Sequence, residues 1–284
     1  MAVCGRTDLA SEAFRLARES AGHLTELPGV RAEEDRLFGC AVTGVEILDR
    51  RGEAALGKPC GRYYTLQLPK ARGREERLRA AQAVAELLGR CLPAEQEGTV
   101  LLAALGNPNI TPDAVGPLTG EQLLVTRHLK EQDGALFSAF RPTVLCRPGV
   151  LGSSGMESAE QLRAICAQLR PSFVLAVDAL AGTELSALCN CIQICSTGIA
   201  PGSGVGNNRQ ALTRESLGLP VLALGVPTVI DAKALCGEAD LEAMFVTPRD
   251  IDEAVRRVSQ VLAYGINLAL HPALSPADLE DLLL

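Results

Sequence analysis

Apolar positions along the chain follow three patterns. Residues 41–48 and 63–68 alternate apolar with polar side chains, which predicts strands with one buried face, and Gly52 and Gly57 punctuate the space between them. Residues 75–91 set Leu78, Ala81, Val84, Ala85 and Leu88 on one side of a helical repeat, so an amphipathic helix is expected there, and residues 9–19 also read as a helix. Residues 100–105, 173–177 and 221–226 are continuous apolar runs bounded by turn residues, as in parallel strands buried on both faces. Helix candidates at 116–129, 158–169 and 251–270 lie between or after them. The alternation predicts an α/β fold, a mostly parallel central sheet flanked by helices. No linker interrupts it, so a single domain with a β-rich N-terminal portion is expected.

Composition adds constraints. Apolar residues make up 47% of 284 and aromatics only 3%, without Trp, so the core must be aliphatic. A net charge of −7 argues against direct binding of nucleic acid, which calls for clustered Lys and Arg. No apolar run reaches the roughly 20 residues of a membrane span, and no signal sequence opens the chain, so a cytoplasmic protein with reduced thiols is expected. The only cysteine cluster, Cys189, Cys191 and Cys195, lacks the paired C-x2-C spacing of a metal site, and buried thiols fit it better.

The unusual residues follow the apolar runs, where α/β sheets gather their ligands. Loops at 106–117, 178–181, 198–207 and 225–231 are expected to converge on one rim. Asp113 precedes a helix and could cap it; Asp178 ends the run FVLAV, where its carboxylate should be partly buried. Two carboxylates sharing a rim cannot easily both ionise. One can keep a proton and polarise a peptide carbonyl while the other takes a proton from attacking water, and neither step requires a cofactor. The loop PGSGVGN at 201–207 lacks the Walker Lys and the full dinucleotide pattern. Its backbone N–H groups suit close approach to a substrate, which makes Gly202, Ser203, Gly204 and Asn207, together with Asn107, candidate substrate-binding residues.

These same stretches resemble the germination protease family. NPNITPDAVGP at 107–117, TRHL at 126–129, PGV at 148–150, GME at 155–157, VDALA at 177–181, STGIAPGSGVGN at 196–207, LGVPTVIDA at 224–232 and FVTP at 245–248 carry the resemblance in order, from Arg6 to about Pro272. It implies a phosphorylase/hydrolase-like fold, similar to hydrogenase-maturation endopeptidases, and an aspartic-type endopeptidase with Asp113 and Asp178 as its catalytic pair. It implies homotetramers made as zymogens, acting in the spore core on small acid-soluble spore proteins during germination. Family substrates resemble Thr-Glu-(Phe/Ile)-Ala-Ser-Glu, cut after the first acid. Thr7-Asp8-Leu9-Ala10-Ser11-Glu12 repeats that pattern, so self-cleavage between Asp8 and Leu9 is expected, with residues 1–8 a propeptide and 9–284 the peptidase domain. Alternatively, Asp8 simply caps the helix that follows. The chain departs from the family where GTELSALCNC at 182–191 replaces a stretch that usually carries basic residues. Two other readings stand beside this one: a metal-assisted endopeptidase of the same fold using carboxylates and His128, and a peptide-binding relative without activity.

Overall fold

The computed structural model describes residues 7–20, 27–69, 73–93, 97–206, 209–236 and 244–283. Helix α1 (Ala10–Ser20) leads into a hairpin of β1 (Val30–Leu37) and β2 (Cys40–Ile47). Then come α2 (Arg50–Leu56), β3 (Gly61–Gln67), α3 (Arg74–Cys91) and β4 (Val100–Leu105). The short helices α4 (Val115–Gly120) and α5 (Arg127–Gln132) precede β5 (Thr143–Gly149), α6 (Leu151–Ser154) and α7 (Ser158–Leu169). Strands β6 (Phe173–Gly182) and β7 (Cys191–Cys195), α8 (Arg214–Leu217), β8 (Val221–Asp231), α9 (Ala232–Cys236) and β9 (Phe245–Val246) follow, closed by α10 (Ile251–Leu270) and α11 (Pro276–Leu283).

One sheet runs through the molecule in the order β1-β2-β3-β7-β8-β6-β4-β5, with β9 beside β8. The α/β class holds, but the expectation of a mostly parallel sheet describes only one part. Strands β5, β4, β6 and β8 are parallel to one another. The pairings through β1, β2, β3, β7 and β8 are antiparallel, as is β8 with β9. The physical reason lies in the side chains. The parallel strand β4, VLLAAL, is buried at every residue and is covered on both faces. The β1 strand, VRAEEDRL, exposes its charges and forms an antiparallel edge. No apolar pattern marks β1, and sequence reasoning missed it.

Alternating side chains of the central strands feed two cores. Leu102, Phe173, Leu175, Val177, Leu222 and Leu224 pack on one face with Val84, Leu88, Val258 and Leu262. Leu101, Leu105, Val174, Ala176 and Val221 pack on the other with Ala10 and Leu162. The helices expected at 158–169 and 251–270 form with those bounds. The helix expected across 116–129 does not. It stops at Gly120 and restarts at Arg127, because buried Asn267 captures the intervening backbone: its Oδ1 accepts from Leu124 N at 3.0 Å and its Nδ2 donates to Gln122 O at 2.9 Å. Among the described residues no helix is long and apolar enough to cross a membrane.

Candidate functional site

The strand β6 was expected to end at Asp178; it continues to Gly182. What ends there is its neighbour. Ala104 of β4 still pairs with Val177, and the chain turns away after Leu105, while on the other side Asp178 pairs with Gly225 of β8. Asp178 therefore sits at an opening in the sheet, at the carboxyl end of β4, with its side chain on the face shared by Val174 and Ala176.

Asp113 is carried back to that opening by the turn that leaves β4. Pro112 and Asp113 form a single 3₁₀ turn (Thr111–Asp113). Asp113 does not cap the helix behind it: α4 begins at Val115 without a side-chain cap, and Asp113 Oδ2 instead accepts from Asn107 N at 2.8 Å. Gly106 makes the return possible. It sits at φ +109°, and a Cβ there would lie 2.0 Å from Asp113 O. Thr228 of β8, fully buried, donates its hydroxyl to Pro112 O at 2.7 Å and ties the turn to the sheet. Nothing in a lone Thr advertises that role in sequence.

Both carboxyls hold protons more tightly than usual. Burial pushes Asp178 well above the ordinary carboxylate range; the negative charge of Asp113 adds to this and that of Asp8 adds less, against a single backbone donor at Ala179. Burial also raises Asp113, opposed by the Asn107 amide. Two mutually repelling carboxyls in a poorly solvated site favour holding one proton between them.

Both line a cavity of about 440 Å³. All four of the loops expected to converge contribute to it, through Pro112, Leu180, Gly202 and Val229 among others. Sequence reasoning missed Arg209 on its wall, paired with Glu157 at 3.4 Å, and exposed Phe245 at its mouth. Of the candidate substrate residues, Gly202 lines the cavity, whereas Asn107 serves the turn, donating to Asp113 and accepting from Asn109 N at 3.0 Å. Asn207 lies outside the described residues.

Ser203 and Gly204 meet the chain's own N-terminal segment. Ser203 Oγ donates to Asp8 Oδ1 at 2.7 Å and Ala181 N donates to Asp8 Oδ2 at 2.9 Å. A Cβ at Gly204 would come within 2.3 Å of that carboxylate. These contacts occupy both Asp8 carboxylate oxygens, so Asp8 is tied to β6 and the glycine loop; it also lines the cavity of Asp113 and Asp178. Leu9 is buried against Leu180, Ala187 and Cys191. Glu12, equally buried, accepts from Thr7 Oγ1, Thr183 N, Thr183 Oγ1 and Glu184 N. The stretch that departs from the family pattern thus supplies two backbone N–H groups and a hydroxyl to a carboxylate where basic side chains were expected. Cys191 and Cys195 are buried free thiols on the face of β7 opposite Ile192 and Ile194.

Comparison with known proteins identifies the family. The family described as germination protease matches residues 10–241. A germination protease from Caldanaerobacter subterraneus subsp. tengcongensis is 39% identical, covering 98% of this chain and 98% of its own. One from Clostridium tetani is 36% identical over 98% and 99%. Among solved structures, a NiFe hydrogenase maturation protease, HycI, from Thermococcus kodakarensis aligns with a TM-score of 0.36 and 18% identity, over 64% of this chain and 99% of that one. The full-length sequence matches are what decide the assignment: this chain belongs to the germination protease family of aspartic-type endopeptidases.

Proposed function

We propose that Asp113 and Asp178 hydrolyse peptide bonds as a proton-sharing pair, and that the chain is made as a zymogen that cuts itself between Asp8 and Leu9. The observation that carries this reading is the presence of the two acids in one cavity, each with its carboxyl pushed upward, and with Asp8 lining that cavity as well. The ionised member takes a proton from water as the water oxygen adds to the carbonyl carbon. The protonated member supplies a proton to the leaving nitrogen.

The docked N-terminus supports the zymogen. Asp8 fills part of the cavity and occupies Ser203 Oγ and Ala181 N–H, so loss of residues 1–8 would vacate both donors for an acidic residue of a substrate. Leu9 and Glu12 would remain as part of the mature chain. In this reading the substrates are small acid-soluble spore proteins, cut in the spore core during germination, and the working enzyme is a homotetramer. The test is mass spectrometry and N-terminal sequencing after mild acid incubation, with and without chelator, alongside cleavage of a Thr-Glu-Ile-Ala-Ser-Glu peptide. The expected result is a chain beginning at Leu9 and peptide cleavage after Glu, both insensitive to chelator; a persistent Met1 start and an intact peptide would rule the reading out.

A further inference from the structure

The Asp8–Leu9 bond is gripped by two side chains that the aspartate pair leaves unused. Lys58 follows Gly57, the left-handed residue that ends α2, and Gln193 is the central residue of β7. Lys58 Nζ donates to Asp8 O at 2.9 Å and reaches Thr7 O at 3.4 Å. Gln193 Nε2 donates to the same Asp8 O at 2.9 Å, while its Oε1 accepts from Ala10 N at 2.7 Å. One side-chain amide therefore bridges the backbone from one side of the Asp8–Leu9 bond to the other. Asp8 N meanwhile donates to Ala181 O at 3.0 Å, which fixes the strand entering the bond. None of these contacts involves the side chain of the bound residues, so any peptide backbone laid along the same path would receive them.

Asp8 borders two cavities. One holds Asp113 and Asp178; the other, of about 270 Å³, is lined by Lys58, Gln193 and Ser203. The carbonyl oxygen of the bond is thus held on the Lys58 side while the residue also reaches the aspartates' side. Burial works against Lys58's charge and pushes its pKa down, and the negative charge of Asp8 only partly offsets this. Two donors converging on one carbonyl oxygen, one of them cationic and poorly solvated, are the arrangement that stabilises a developing oxyanion.

We propose that Lys58 and Gln193 are the donor pair that holds and polarises the carbonyl of the bond to be cut, first in Asp8–Leu9 and afterwards in substrate peptides. The inference rests on the hydrolytic reading of this site. The water oxygen bonds to the Asp8 carbonyl carbon, and the C=O electron pair moves onto the oxygen that Lys58 and Gln193 hold. That pair returns as the C–N bond breaks, and the proton removed from water is balanced by one delivered to the Leu9 nitrogen. The products are a new α-carboxyl at Asp8 and an amine at Leu9; the proton left on the attacking oxygen passes to that amine, giving a carboxylate and an ammonium.

Two measurements test this on the full chain. Lys58→Met and Gln193→Leu are each expected to slow loss of residues 1–8 by about 100-fold or more, and to lower kcat on a Thr-Asp-Leu-Ala-Ser-Glu peptide more than they raise KM. Lys58→Arg, which keeps the charge, is expected to restore part of the rate. The same two substitutions in an Asp178→Asn chain, which is expected to stay uncut, should speed amide hydrogen exchange at residues 8–10 at least tenfold by mass spectrometry. Unchanged exchange would overturn the clamp. Parental cleavage rates in the Met and Leu variants would overturn the polarising role. If the parent chain never loses its N-terminus while exchange still rises, hydrolysis fails as a reading and polarisation falls with it, leaving the clamp alone.

Discussion

Glu12 and Asp178 are each only 4% exposed, yet their surroundings differ in kind. Glu12 collects four donors from Thr7, Thr183 and Glu184, which engage both of its side-chain oxygens. Asp178 has a backbone donor at Ala179, two nearby acids, and a cavity in front of it. Burial with donors makes a structural acid, whose charge is stabilised by the protein. Burial with a single donor makes a group whose charge is costly and whose proton is held ready for transfer. The two lie in one neighbourhood, joined by the N-terminal segment, and differ because Glu12 faces loop amides whereas Asp178 faces the gap where β4 leaves the sheet.

The contrast can be broken most severely at the cavity. Asp178→Asn and Asp113→Asn are each expected to cut peptide cleavage by about 10³-fold or more, because neither amide can exchange a proton with water at neutral pH. Cleavage at the parental rate by either variant would remove that residue from the chemistry. Glu12→Ala should leave cleavage chemistry in place but strand the Thr183 and Glu184 donors, costing about 3 kcal/mol of stability. For a chain of this size that is a fall in Tm of roughly 5–10 °C. An unchanged Tm would mean that water replaces the carboxylate without cost.

The sharpest form of the comparison is the opposite sign expected for Asp178→Asn in stability. Its carboxyl titrates above the ordinary value of 3.8, so the native state binds that proton more tightly than the unfolded chain does. The resulting stabilisation is complete below pH 3.8 and is lost as pH rises through the raised value. At pH 7 the unfolded chain ionises this carboxyl freely whereas the native state does so only at a cost, so the Asn variant is expected to melt higher than the parent there, with the gain shrinking towards pH 4. A lower Tm at pH 7 would contradict this. His271 provides a smaller effect remote from both acids. Burial first, then the charges of Arg141 and Lys130, lower its pKa from 6.5 to about 4, so stability is lost as pH falls through that interval. The loss between pH 6.5 and 5 is expected to be about 1–2 kcal/mol and to be largely absent in His271→Asn. An unaltered pH dependence in that variant would assign the acid-side loss to other groups.

Much of this was legible before any coordinates. Continuous apolar runs announced β4, β6 and β8, and the helical repeats of α3, α7 and α10 were plain, because burial on one or two faces leaves a periodic trace in side-chain polarity. The family motifs pointed to Asp113 and Asp178 for the same stretches. The charged strand β1 and the break between α4 and α5 left no such trace. The first is an edge with little to bury, and the second depends on Asn267, more than a hundred residues away.

What the linear order of residues determined by itself was the α/β class, the kinship, and the two acids that the motifs single out. Tertiary structure alone decided that β6 runs past β4 so that Asp178 opens onto a cavity, that Gly106 and Thr228 turn Asp113 back towards it, and that Lys58 and Gln193 meet over the Asp8 carbonyl. The physical reason is that periodicity records the average environment of a segment. Hydrogen bonds and charge repulsion depend on ångström distances between groups that only the folded chain brings together.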